Sequence, residues 1–437
     1  MRRNHYWIGG IGILALLALM PVISSGAPPA SKAKPPSAHE KVLYTFTGGA
    51  DGGNPVSDLI LDSAGNLYGT TSAGGSATSC GWGCGTAFEL KRTQTGWEER
   101  VLHSFGNSQN DGQLPEAGMI FDSSGNLYGT TREGDGTSRY GTVFKLAPNG
   151  KGGWTESIIY SFPDVALPVS DLIFDAQGNL YGTTPYNGSA GGDGYGTVFE
   201  LIRHPDGSWT ESTLYQFAGP PGDGANPSSG VVFDSAGNLY GLTLAGGSNH
   251  CEYPGCGIAY KLTPDGKGNW KETVLFNFAR GSGFAVIPSA GLLVDPDGDR
   301  LVGTTVQGGD GVGTVFVLNQ PKHGEWRQDV VHRFYDNLDG STPVGQLTKD
   351  SHGNLFGATL LGGPGRNGMI FEMGIQAKGP WKETILYDFA GGTDGANPYA
   401  GMVLDNQGHL YGTTYRGGAG TLCEGTGNCG TVYEITP

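Results

Sequence analysis

Gly65-Asn66-Leu67-Tyr68-Gly69-Thr70-Thr71 recurs along the whole chain. It returns over residues 125–131, 178–184, 237–243, 353–359 and 408–414, and a worn copy occupies 299–305. The glycine common to all copies falls at 69, 129, 182, 241, 303, 357 and 412, in steps of 53 to 62 residues. A period of that size marks a repeat architecture, in which each unit cannot bury its apolar face alone.

Working outward from the first copy, residues 57–62 read as a short apolar strand and 63–66 as a turn. Gly65 and Asn66 suit the left-handed backbone that such a turn needs. Leu67 to Thr71 is a second strand, Gly85 to Leu90 a third, and Trp97 to Phe105 a fourth. The runs are short, rich in Tyr, Phe, Val and Thr, and no window carries a helical period. Four antiparallel strands per repeat of this length predict an all-β fold, a propeller of four-stranded blades.

The ends decide the count. Glu40 to Phe46 reads as a fourth strand with no blade in front of it, and Gly430 to Ile435 as a third strand with nothing after it. The two complete each other, so the fold is predicted to be a seven-bladed β-propeller closed by strand 40–46. Closure removes the open sheet edges that invite aggregation.

Six of the eight tryptophans (97, 154, 209, 270, 326 and 381) stand eight residues before a phenylalanine in the fourth strand. Glu stands two after the Trp in five of them, with Gln328 the exception. Equal placement in every blade points to packing between blades, where a large ring contributes roughly 1.5–3 kcal/mol. Gly69 sits mid-strand, and its missing side chain is expected to let an adjacent blade approach.

Composition narrows the function classes. The chain has 437 residues, 79 of them Gly, with 15% charged residues and a formal net charge of −15. Nucleic acid and anionic membrane surfaces are excluded as partners, because both require a basic face. Arg2, Arg3 and the apolar run from Ile8 to Ile23 read as a signal peptide over 1–27, with small residues before the cut. An uncleaved anchor is the alternative. Residues 28–39 form a Pro-rich leader, and 40–437 the propeller. No other stretch could span a membrane, and the mature chain is expected to be a monomer.

Two loop sets carry the chemistry. The inter-blade loops read Asp51-Gly52-Gly53-Asn54-Pro55, Asp111 to Pro115, Asp223-Gly224-Ala225-Asn226-Pro227, Asp339 to Pro343 and Asp394-Gly395-Ala396-Asn397-Pro398. Two blades keep only the proline, Pro168 and Pro288. Such loops are turn formers first: Asp caps its own backbone, Gly takes positive φ and Pro enters the strand. Their functional reading is a ring of Asp51, Asn54, Asp111, Asp223, Asn226, Asp339, Asp394 and Asn397 at the channel mouth. It could hold sugar hydroxyls or a cation, calcium being the ion considered. No other cofactor or metal site is expected.

The loops from second to third strand carry the cysteines, paired as Cys80 with Cys84, Cys251 with Cys256, and Cys423 with Cys429. In an exported chain these read as three short disulfides, with a shared zinc site across neighbouring repeats as the alternative. The histidines show no common repeat position and no metal spacing. No nucleophile elbow or phosphate loop is present, and catalytic residues are unassigned.

The unit Gly-Asn-Leu-Tyr-Gly-Thr-Thr, then Gly-Gly, then Gly-Thr-Val-Phe-Glu-Leu resembles the GloVer tandem repeat of Gloeobacter and Verrucomicrobia over about residues 40 to 436. The resemblance implies a bacterial protein exported to the periplasm, cell surface or medium, of a group with a choice of C-terminal anchors. The chain stops at Pro437, straight after the last strand, so a C-terminal sorting tail is not expected. The resemblance brings no catalytic residues.

The leading expectation is a non-enzymatic scaffold binding a polysaccharide, peptide or surface partner at the loop face. One alternative is a glycan lyase or glycosidase using channel-mouth carboxylates, and another a purely structural envelope protein. An asymmetric cluster of His, Arg, Tyr and carboxylates from several blades in one pocket would favour the enzyme.

Overall fold

Leu67–Thr71 is the second strand of a four-stranded antiparallel sheet whose order is Ile60–Leu61, Leu67–Thr71, Thr86–Thr93 and Gly96–Ser104. The computed structural model describes residues 38–108, 111–134, 140–163, 165–186, 194–227, 229–248, 255–279, 285–308, 312–321, 324–335, 339–374, 381–423 and 428–437. Among them there are strands and no helix. Seven such sheets form a ring. The seventh is completed by the first strand: His39–Thr45 pairs antiparallel with Thr431–Thr436, His39 opposite Thr436 and Thr45 opposite Thr431. The predicted seven-bladed, end-closed propeller is therefore the fold, with its closing strand starting at His39. The expected signal peptide and most of the leader lie outside the described residues.

Each residue of the repeated motif has a separate structural task. Leu67 is fully buried. Tyr68 Oη lies 3.1 Å from Asp62 Oδ2 and 3.0 Å from Glu89 Oε1, its one proton shared between the two carboxyl groups, and its ring lies edge-on to Phe121 of the next blade. Thr70 Oγ1 reaches across to the carbonyl of Ala117 in that blade at 3.0 Å. Thr71 Oγ1 lies 2.9 Å from Thr86 Oγ1 within its own sheet.

Gly69 departs from expectation. A Cβ there would meet Phe88 Cζ at 2.8 Å and Leu59 Cδ2 at 2.7 Å, both in its own blade. Gly69 is paired directly with Phe88 across the sheet, so the ring folds back over the bare Cα. The same clearance serves Phe144 at Gly129, Phe199 at Gly182 and Tyr433 at Gly412. The glycine makes room for its cross-strand aromatic, which then meets the neighbouring blade. Phe46 lies edge-on to Phe88 at 5.1 Å, Phe105 to Phe144 at 5.0 Å and Phe389 to Tyr433 at 5.2 Å. Each pair joins the fourth strand of one blade to the third strand of the next, and edge-to-face pairs add about 0.5–1.5 kcal/mol beyond area burial.

The tryptophans pack between blades as expected. Trp154 lies 6.4 Å from Tyr68, Trp209 6.1 Å from Tyr128, and Trp97 6.1 Å from Tyr411 across the closure. Ala38, at the tryptophan position of the closing strand, packs in the cluster of Phe356 and Tyr433.

The innermost strand is shorter than predicted. In blade one only Ile60 and Leu61 pair with the second strand. The reason lies at Ser57, whose hydroxyl accepts from Thr70 N at 3.0 Å and donates to Thr70 O at 3.3 Å. Ser170 does the same to Thr183 in blade three. A side chain takes the ladder's place, so the backbone swings inward and lines the central channel.

Candidate functional site in the central channel

The inter-blade loops hold the channel lining in place. In all seven blades the residue before the loop proline has positive φ: Asn54, Leu114, Leu167, Asn226, Ile287, Thr342 and Asn397. Its N–H donates back to the preceding blade, as Asn54 does to Cys429 O at 2.8 Å and Leu114 to Cys84 O at 2.9 Å. Such conformations are costly for β-branched Ile287 and Thr342 and persist only where the surroundings impose them. Two disulfides, Cys80–Cys84 and Cys423–Cys429, brace the loops that supply these carbonyls. Cys256 is also disulfide-bonded, and Cys251 lies outside the described residues.

The loop side chains proposed from sequence are engaged within this framework. Asn54 donates to Tyr415 O, Asn226 to Pro185 O and Asn397 to Leu360 O, at 2.9–3.0 Å. Asp51 accepts from Tyr44 Oη, Thr47 N and Thr47 Oγ1. Asp223 and Asp394 likewise accept from Tyr215 and Tyr387, while Asp111 and Asp339 meet His103 and His332. These aspartates sit at the seams between blades, and none is among the residues lining the channel cavity.

At each of these seams a fourth-strand glutamate of the following blade joins the group. Burial, with the nearby aspartate adding, pushes Glu99, Glu272 and Glu40 up to about 7. Glu156 and Glu383 are pushed to the same level by burial against the pull of His103 and His332. Burial opposes charge on His332, but Asp339 and Glu383 outweigh it and raise its pKa. The sequence reading missed that His103 and His332 share a repeat position. Each stands two residues before its fourth-strand phenylalanine, where Tyr44, Tyr160, Tyr215, Phe276 and Tyr387 stand in the other blades.

The channel is lined by residues just after the loop prolines. Three positions beyond the proline the blades carry Asp58, Gly118, Asp171, Gly230, Gly291, Gln346 and Gly401. Both carboxylates take a backbone N–H from a neighbouring blade, Asp58 from Gly401 and Asp171 from Gly118, each at 2.6 Å. Burial, and then the facing Asp171, holds the Asp58 carboxyl well above the usual carboxylate range. Burial also raises Asp171.

Nearer the loop face, Glu116 pairs with Arg132 at 3.2 Å, their side chains only 5% and 6% exposed. Burial raises Glu116 despite that partner. Tyr399 and Tyr415 come from blade seven, with ring centroids 6.3 Å apart, and the Glu116 charge reaches the Tyr399 phenol. The cavity is about 210 Å³ and is lined by Asp58, Glu116, Asp171, Ser229, Ser289 and Tyr399, among others. Three of its polar atoms, Glu116 Oε2, Ser229 Oγ and Ser289 Oγ, are sealed from solvent and lack a hydrogen-bond partner. This is an asymmetric set from several blades, and it lies where the repeat is broken.

A closed repeat propeller with one irregular polar site in its channel is the class these features define. The chain belongs to the Gloeobacter/Verrucomicrobia repeat family, whose pattern matches residues 30–219 and 189–433. No curated protein matches the sequence. Among solved structures, a gluconolactonase of Xanthomonas campestris is 12% identical over 72% of this chain and 83% of its own, with a TM-score of 0.38. A putative oxidoreductase (glucose dehydrogenase) of Thermus thermophilus is 12% identical over 91% of this chain and 100% of its own, with a TM-score of 0.42. Among the described residues no helix is long and apolar enough to cross a membrane.

The carboxyl pair gives a pH prediction. A carboxyl held above its unfolded value stabilises the fold most below about pH 4, and that contribution is lost as pH rises through the folded value. Asp58→Asn keeps an oxygen for the Gly401 N–H and removes the charge. The variant is expected to match the parent near pH 3 and to be more stable at pH 8, by at least about 1.4 kcal/mol, the worth of one pKa unit. Thermal melts at the two pH values check it, and equal melting at pH 8 contradicts it.

Proposed function

We propose that the protein is an exported scaffold that binds a small polyhydroxylated ligand, one sugar ring or the end of a glycan, in the channel cavity at the loop face. The observation that carries this reading is the set of polar residues lining the cavity from blades one to five, Asp58, Glu116, Asp171, Ser229 and Ser289, three of which hold an unpaired polar atom. A buried polar group left unpaired costs about 1–3 kcal/mol, so Glu116, Ser229 and Ser289 call for hydrogen-bonding partners from whatever enters. Hydroxyls can donate to the carboxylate and exchange with the serines. A cavity of about 210 Å³ is smaller than the roughly 300–1,000 Å³ that hold drug-sized ligands, which suits a single ring. The disulfides support an oxidising compartment.

Calorimetric titration of the mature chain with monosaccharides and short glycans tests the proposal. Glu116→Gln is expected to weaken binding at least about tenfold, or 1.4 kcal/mol. Binding that ignores this change, or no binding by any hydroxylated ligand, refutes it. Asp58 and Asp171, within an asymmetric polar set from several blades, favour a second reading, acid–base cleavage of a glycoside, because burial raises both carboxyls and they sit together in one cavity. That reading requires product release that Asp58→Asn abolishes, whereas the binding reading predicts bound ligand recovered unchanged.

A further inference from the structure

Five seams of the ring share one three-residue arrangement. A fourth-strand side chain meets the aspartate of the following loop, and the glutamate of the next blade's fourth strand faces both. At three seams the first residue is a tyrosine: Tyr44, Tyr215 and Tyr387 donate to Asp51, Asp223 and Asp394 at 2.9–3.1 Å. At the other two it is a histidine. His103 Nε2 lies 3.0 Å from Asp111 Oδ1, and His332 Nε2 lies 3.1 Å from Asp339 Oδ2 and 3.7 Å from Glu383 Oε1. In each histidine seam one imidazole nitrogen and two carboxylate oxygens fall within 4.8 Å of one another.

A second observation bears on what these groups lack. Glu156 Oε1 and Glu383 Oε1 are sealed from solvent and accept no hydrogen bond. The Asp111 side chain is 3% exposed and those of Asp339 and Glu383 are 12% and 14% exposed. Two carboxylates drawn out of water in this way require a cation or a proton. The tyrosine seams leave Glu99, Glu272 and Glu40 with the same orphaned oxygen, but a phenol offers no ligand nitrogen. The imidazole is the feature that separates the two kinds of seam.

We propose that His103, Asp111 and Glu156 form one binding site for a divalent transition ion of the zinc or manganese class, and that His332, Asp339 and Glu383 form a second. One imidazole nitrogen with two carboxylates suits such ions, whereas calcium selects all-oxygen sets. Each ion would join two blades through three separate segments. At the first site His103 belongs to blade one, Asp111 to the connecting loop and Glu156 to blade two. The second site joins blades five and six in the same way. Three protein ligands leave the rest of the coordination sphere to solvent. An ion held this way would stabilise the ring by an amount that rises with the logarithm of its concentration over its dissociation constant.

The test uses the seam variation already present in the molecule. The mature chain, freed of metal with a chelator, is titrated calorimetrically with zinc chloride and with manganese chloride, and the ion retained after gel filtration is counted. Two ions per chain are expected. His103→Tyr and His332→Tyr should each remove one, and the double variant both. Tyrosine is the residue found at three equivalent seams, so these variants should keep their chelator-treated melting temperature, which controls for folding. Tyr215→His, beside Asp223 and Glu272, should add a third ion. A parent chain that retains neither ion overturns the proposal, as does a double variant that still takes up two.

Discussion

A chain beginning at Thr47 is expected to lose the single cooperative melting transition of the intact ring and to associate at concentrations where the parent does not. Removing His39–Thr45 takes away every partner of Thr431–Thr436 on that side and leaves a bare edge. Phe46 goes with it. That side chain is fully buried among Leu59, Leu67, Tyr411 and Val432 and lies edge-on to Phe88, so it belongs to the contact between blades seven and one. Phe46→Ala alone is expected to cost about 3–5 kcal/mol. The truncation should cost more, because it also releases Ala38 from the sixth-to-seventh blade cluster. Circular dichroism melts and size-exclusion profiles give the readout. A truncated chain that melts at the parent temperature would show that the ring does not depend on its closing strand.

The second large effect is expected at Gly69. An alanine there would put its Cβ 2.7 Å from Leu59 Cδ2 and 2.8 Å from Phe88 Cζ, both buried side chains. The strand cannot back away, since all five residues of Leu67–Thr71 are paired with Thr86 to Leu90. Phe88 would have to leave its seat beside Phe46. Overpacking of this kind costs about 1–3 kcal/mol, and Gly69→Val should exceed it. Gly65 provides the contrast. Its Cβ would meet nothing within 4 Å, but its φ is +81°. Gly65→Ala should therefore cost only about 1–2 kcal/mol of backbone strain, and Gly65→Asn less. Denaturant unfolding of the four variants separates crowding from strain. A Gly69→Val variant that loses no more than Gly65→Ala would mean that the ring contact is not what the glycine protects.

Those two predictions rest on features that repeat, and repetition is what a single sequence displays well. The blade count, the strand order and the closure follow from the spacing of Gly69 and its copies, from Trp97 and Phe105, and from the matching loose ends. The partner of Gly69 was less visible. Cross-strand pairing with Phe88 is set by the register of the two strands, whereas the sequence shows only a glycine in mid-strand.

The channel site was hidden for the opposite reason. Asp58 and Asp171 occupy a position that is glycine in four of the other five blades and glutamine in the fifth. Glu116 and Tyr399 stand where Val56 and Val169 stand in blades one and three. A search for what is shared passes over these residues. Their signal is departure from the repeat at the first and third positions after the loop proline. The loop aspartates drew attention because they recur, and they recur because each ties its loop to a Tyr or His of the strand before it. His103 and His332 become visible only when the fourth strands are aligned on their phenylalanines.

The pairing of His39 with Thr436 also sets an order of events. A chain made from its N-terminus produces the closing strand first and uses it last, after nearly all the remaining sequence has emerged. Until then residues 39–46 carry a row of unpaired backbone groups and the ring of Phe46 with no seat. Contacts between such distant residues form slowly, and exposed edges can recruit other chains while they wait. Each blade can assemble its own hairpins as it appears, but the ring's stability arrives in one late step. Refolding should therefore be limited by that final strand insertion, and a holding factor that shields residues 39–46 would protect the chain during the interval.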